Sequence, residues 1–185
     1  MASSLFILGG ARSGKSRFAV AEQPSRGRVA FIATAQPGDG DMARRIARHQ
    51  AERPRHWTTV EEPLALVARL TELEAKHDAI VVDCLTLWVS NRLLRGDEDD
   101  AILDEAEALG KLIERRRASV TLVSNEVGEG VHPETAMGIR FRDLLGFVNQ
   151  RVATACDRVV LMVAGQPLTI KSAAPERSDD APQTP

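Results

Sequence analysis

Cysteine, net charge and long apolar runs are all scarce in this chain of 185 residues. The two cysteines, Cys84 and Cys156, lack metal-ligand spacing and lie beside apolar stretches, so they read as reduced, buried thiols of a cytoplasmic protein. Lys and Arg number 24 against 26 Asp and Glu, a formal charge of −2. That leaves no basic footprint, and a nucleic-acid backbone is not an expected partner. No apolar run reaches transmembrane length, and the N-terminus has neither the basic region nor the cleavage site of a signal peptide. Membrane insertion and secretion are therefore not expected. Internal repeats are also missing. With 43% hydrophobic residues, the length suits one domain with a substantial core.

What is present starts at the fifth residue. Leu5-Phe-Ile-Leu-Gly-Gly-Ala-Arg-Ser-Gly-Lys-Ser16 is an apolar run leading into G-x-x-x-x-G-K-[ST], filled by Gly9, Gly14, Lys15 and Ser16. Glycines let backbone N–H groups fold inward around phosphate oxygens, and the lysine ammonium reaches the β- and γ-phosphates. The hydroxyl ligates Mg²⁺ where a helix begins. The stretch Gly9, Gly10, Ala11, Arg12, Ser13, Gly14, Lys15 and Ser16 is thus expected to bind a nucleoside triphosphate.

Apolar, β-branched runs then alternate with helical patterns. Strands are expected at 4–8, 29–34, 57–60, 79–83, 119–124, 158–164 and 168–171, with Gly165-Gln-Pro167 as the last turn. Helices are expected at 14–23, from Asp41 to about Glu52, from Pro63 to His77, and at 86–95, 99–117 and 134–155. Such alternation implies one α/β P-loop domain over residues 1–171, with a mostly parallel sheet and helices on both faces. Residues 172–185 turn to Ala, Pro, Ser, Asp and Glu and are expected to be a disordered tail.

Ligands of open α/β sheets collect at the carboxyl ends of the strands. Asp83 ends an apolar strand and fits the carboxylate that holds Mg²⁺ in P-loop enzymes; it also fits an N-cap for the helix beginning at Leu85, and the two roles are compatible. Thr34, Ala35 and Gln36 end the second strand, where small residues and a hydroxyl let a nucleotide approach. Asn125 and Glu126 open a glycine-bearing loop that is either a substrate contact or a plain connection.

In the Asp41 segment Met42, Ile46 and His49 share one face, while Arg44, Arg45 and Arg48 crowd the others. His49 is either a structural rim histidine or a nucleophile. A neutral imidazole attacking the α-phosphorus of a nucleoside triphosphate would form a phosphoramidate and release pyrophosphate, with the arginines steadying the phosphates.

Several motifs now stand in series: Gly9-Gly-Ala-Arg-Ser-Gly-Lys-Ser-Arg17, Ile32-Ala-Thr34, Asp41-Met-Ala-x-Arg-Ile46 with His49, Arg53-Pro-x-x-Trp-x-Thr59 with Glu61, Asp83-Cys-Leu-Thr86, Val123-x-Asn-Glu-Val-Gly-x-Gly130 and Arg142-Asp-x-x-Gly-x-x-Asn-Gln150. Together, over about residues 4–171, they resemble the bifunctional adenosylcobinamide kinase/adenosylcobinamide-phosphate guanylyltransferases of cobalamin biosynthesis, with a RecA-like fold.

The resemblance implies two reactions. ATP or GTP phosphorylates the aminopropanol hydroxyl of adenosylcobinamide; GTP then guanylylates a histidine, and adenosylcobinamide phosphate takes the GMP to give adenosylcobinamide-GDP. By position His49 matches the histidine that carries GMP, 9–16 the triphosphate site and 34–36 a stretch lining the nucleotide. Glu61 and Asp83 fall at or near positions implicated in nucleotide binding; Glu62 is the neighbouring alternative, and Glu61 keeps the spacing from Trp57 without a gap. Some members carry two adjacent histidines where this chain has Arg48-His49. The resemblance also implies a homo-oligomer, with a trimer as one form. Two rival readings are a GTP-dependent switch, against which stands the missing N-K-x-D motif, and a simple small-molecule kinase in which His49 is incidental.

Overall fold

A computed structural model describes residues 2–36 and 53–172. The expected helix from Asp41 to Glu52, with His49 on it, and the expected tail beyond its first residue, Ser172, lie outside the described residues.

The chain begins with strand β1 (Ser4–Gly9), helix α1 (Lys15–Ala21) and strand β2 (Val29–Ala33). Strand β3 (Thr58–Glu61), helix α2 (Leu66–Glu74) and strand β4 (Ala79–Asp83) follow, then helices α3 (Leu85–Arg95) and α4 (Asp99–Glu114). Strand β5 (Ser119–Val123), helix α5 (Ala136–Ala155) and strands β6 (Arg158–Val163) and β7 (Gln166–Lys171) complete it. The seven strands form one sheet in the order β3-β2-β4-β5-β1-β6-β7. All neighbours are parallel except β6 and β7.

Period-two alternation assigns each strand's side chains to opposite faces. Phe6, Ile32, Ile80, Val82 and Leu122 pack with α2, α3, α4 and α5 on one face. Leu5, Ile7, Phe31, Val81 and Met162 pack on the other with Ala19 of α1 and with Trp57. Helices therefore cover both faces, as a parallel sheet requires. Full burial of each Leu, Ile or Phe contributes about 1.5–3 kcal/mol, which fixes the strand ends relative to one another. No described helix is long and apolar enough to cross a membrane.

Element ends differ from expectation in three informative places. The helix expected from Pro63 starts at Leu66, because the Glu62 carboxylate accepts the N–H groups of Leu64 at 3.1 Å and Ala65 at 2.8 Å and holds the approach in a turn. The helix expected to reach residue 117 stops at Glu114; Arg116 takes a positive φ of 51°. The last turn is Ala164-Gly165 instead of Gly165-Gln-Pro167. Both residues have positive φ, 50° and 81°, the conformation that matches the twist of a two-residue hairpin. Pro167 belongs to β7, a place open to proline because β7 is an edge strand.

Candidate active site

Five of the six parallel strands deliver the residues of interest to one rim: Gly9 from β1, Ala33 from β2, Glu61 from β3, Asp83 from β4 and Val123 from β5. β5 lies between β1 and β4. The phosphate loop and Asp83 are thus two strand spacings apart, about 10 Å, with the residues after Val123 between them.

The loop from Gly9 to Lys15 has the backbone its glycines permit. Gly9 has φ 147° and Gly14 φ 98°. A Cβ on Gly9 would stand 2.5 Å from the carbonyl oxygen of Met162 and 2.8 Å from Ser13 Oγ; only glycine fits. Gly14 precedes α1 with its Cα side facing Gly165, and the Gly165 N–H donates to the Ser13 carbonyl at 3.0 Å. The β6–β7 turn therefore backs the loop. Gly10, Ala11 and Arg12 are exposed at its tip, Arg12 with φ 60°.

Lys15 opens α1 and is 8% exposed. Its Nζ donates to the carbonyls of Gly9 at 2.8 Å and Gly10 at 2.6 Å. Burial lowers its pKa, opposed by Cys84 and Asp83. The Cys84 thiol is itself pushed up to about 12, by burial first and then by Asp83, so the charge facing Lys15 at neutral pH is the Asp83 carboxylate. Ser16, next to Lys15, is half-buried. Glycine loop, lysine, hydroxyl and acidic strand end now stand on one rim.

The family model described as cobinamide kinase / cobinamide phosphate guanyltransferase matches residues 5–170. The chain belongs to this family.

Curated relatives agree. The bifunctional adenosylcobalamin biosynthesis protein CobP of Pseudomonas aeruginosa is 48% identical over 166 residues, 89% of this chain and 95% of the relative. The proteins named CobU, with the same description, from Salmonella typhimurium and Escherichia coli are 42% and 38% identical over 179 residues, 90% of this chain and 99% of each relative. Among solved structures, a KaiC-like protein of Pyrococcus horikoshii superposes with TM-score 0.52 at 14% identity, covering 86% of this chain and 70% of that one. A type III secretion ATPase superposes with TM-score 0.52 at 15% identity, covering 86% and 50%. These two likenesses concern the fold, which is the P-loop NTPase class with one β-strand between phosphate loop and acidic strand.

Other family-motif residues fall into two groups. Near β2 and β3, Thr34 is fully buried. Its hydroxyl donates to the Cys84 carbonyl at 2.6 Å and accepts the Cys84 N–H at 2.8 Å. The expected open hydroxyl is thus engaged in a strand-to-strand clamp, while Ala35 is half-buried and Gln36 exposed. Glu61 is exposed, whereas Glu62 is held by the α2 approach and lies 3.5 Å from Arg69. Beside the phosphate loop, Asn125 and Glu126 are half-buried, and the Glu126 N–H donates to the Gly9 carbonyl at 3.2 Å. Asp83 itself is not the N-cap of α3; Cys84 occupies that place.

In the sequence Arg53 belongs to a motif but carries no assigned role. Its guanidinium lies 3.6 Å from the centroid of the Phe31 ring. Burial lowers its pKa, opposed by Asp83 and Glu61. The signal available was the Arg53-Pro54 pair; its partner Phe31 is too far along the chain to be read.

Proposed function

We propose that this chain phosphorylates adenosylcobinamide with ATP or GTP, then transfers GMP from GTP through a guanylylated His49 to adenosylcobinamide phosphate. The single observation that carries the kinase half is Lys15, buried in the glycine loop and facing the charge of Asp83. Family membership carries the pairing of that half with guanylyl transfer.

In the first reaction the substrate hydroxyl attacks the γ-phosphorus and a nucleoside diphosphate leaves. Backbone N–H groups of 9–16 and the Lys15 ammonium stabilise the charge that grows on the phosphoryl oxygens. In the second, His49 attacks the α-phosphorus and pyrophosphate leaves; the cobinamide phosphate oxygen then displaces the histidine and carries away GMP. Glu61 with 34–36 is assigned to the nucleotide. A bound nucleotide spans the rim, and the two reactions use its two phosphorus ends.

Ser16 and Asp83 suit Mg²⁺, a hard cation that takes oxygen ligands and arrives with the nucleotide phosphates instead of needing an all-protein cage. When bound, the ion supplies charge neutralisation between the phosphates.

GTP labelled at the α-phosphate tests the mechanism. Incubation with Mg²⁺ should leave an acid-labile, base-stable label on the protein, absent from His49→Ala. Label persisting in that variant would remove His49 from the role. No label on the unaltered chain would leave a simple kinase.

A further inference from the structure

We infer that Glu126 is the general base of the kinase half, an inference that rests on the proposed phosphorylation of an alcohol. The residues after β5 alternate between its two neighbours. Ser124 N–H continues the β1 pairing to the Ile7 carbonyl at 2.9 Å. Asn125 N–H turns toward the Asp83 side and donates to Thr86 Oγ1 at 2.7 Å. Glu126 N–H turns back to the phosphate loop and donates to the Gly9 carbonyl at 3.2 Å. That same carbonyl accepts Lys15 Nζ at 2.8 Å. One oxygen atom therefore joins the phosphate-binding lysine to the backbone of Glu126.

The carboxylate is held but not used up. Oε1 accepts the Gly128 N–H at 2.8 Å, and no described residue donates to Oε2. Behind it, Asn149 of α5 is 6% exposed and donates from Nδ2 to the Asn125 carbonyl at 3.1 Å. The loop is thus fixed from α3, from β1 and from α5, which gives the side chain the preorganisation a catalytic group needs. Of the carboxylates at the strand ends, Asp83 is assigned to the metal and Glu61 sits on β3, separated from β1 by three strands. Glu126 is the one that borders the phosphate loop.

The step balances. The alcohol oxygen forms a bond to the γ-phosphorus, and the bond from that phosphorus to the β,γ-bridging oxygen breaks. The electron pair leaves with the nucleoside diphosphate, and the hydroxyl proton passes to Glu126 Oε2.

The test separates the two half-reactions. In Glu126→Gln the bond to Gly128 is kept, so the expected result is phosphorylation of adenosylcobinamide with kcat reduced about 10²–10⁴-fold, an unchanged KM for the triphosphate and undiminished guanylyl labelling from GTP. In Glu126→Ala, formate should restore part of the lost kinase rate, which a structural role would not allow. Wild-type kcat in Glu126→Gln, loss of both half-reactions together with a lowered unfolding midpoint, or no response to formate would each overturn the assignment. An unaltered chain that phosphorylates no adenosylcobinamide would overturn the proposed function, and this inference with it.

Discussion

Thr34 and Cys84 exchange two hydrogen bonds, the hydroxyl donating to the Cys84 carbonyl and accepting the Cys84 N–H. The pair ties the exit of β2 to the exit of β4, immediately beside Asp83. Thr34 N–H adds a third bond, to the Asp83 carbonyl at 3.1 Å. Placement of the acidic strand end thus depends on a threonine about fifty residues earlier.

Thr34→Val keeps the shape and removes the hydroxyl, leaving the partly buried Cys84 N–H without its acceptor, while the Cys84 carbonyl keeps the Trp88 N–H at 3.2 Å. The expected cost is about 1–3 kcal/mol, the penalty of one unsatisfied buried group. Urea unfolding measures it, and a midpoint equal to that of the unaltered chain would refute the clamp.

Gly9→Ala introduces a Cβ into a space bounded by the Met162 carbonyl and Ser13 Oγ, at a φ that side chains rarely adopt. Strain of about 1–3 kcal/mol is expected, together with loss of triphosphate binding. Calorimetric titration with a non-hydrolysable triphosphate gives the readout. Affinity unaffected by the substitution would mean that the loop tolerates displacement.

Glu61 and Glu62 should part company. Glu62→Ala removes the acceptor for two N–H groups before α2 and should cost about 0.5–2 kcal/mol of stability, with little change in nucleotide affinity. Glu61→Ala should do the reverse. Urea midpoints and nucleotide titrations on both variants decide it, and the opposite pattern would move the nucleotide contact to Glu62.

Lys15 gives a pH signature. Its folded pKa is lowered by burial, so just below the unfolded value the unfolded chain holds this proton and the folded chain has released it. Stability therefore rises with pH in that window, from the folded pKa up to about 10.5. Below the window both states are charged, and the fold carries the cost of the buried ammonium. Lys15→Met should abolish this rise and turnover together. A stability difference between the two proteins that is flat across the alkaline range would refute it.

Much of this was legible in the residues. The G-x-x-x-x-G-K-[ST] run specifies its own geometry, because Gly9 and Gly14 adopt backbone angles that few other residues tolerate. Asp83 was legible by position, as the acidic end of a strand buried on both faces. The Thr34 clamp was not, since its partner lies on a strand brought alongside only by folding. Arg53 over Phe31 is hidden for the same reason. Pro167 misled for a local reason: proline ordinarily marks a turn, and only the sheet order shows that β7 has no outer neighbour to satisfy.

The Ala164-Gly165 turn behind the phosphate loop joins segments that lie far apart in sequence. The Gly165 amide and the Met162 carbonyl bound the cradle from the β6–β7 side. A peptide carrying only β1, the loop and α1 would hold every loop glycine but not the wall against which they fold. Triphosphate recognition in this protein is therefore a property of the closed sheet, and the glycine motif alone does not confer it.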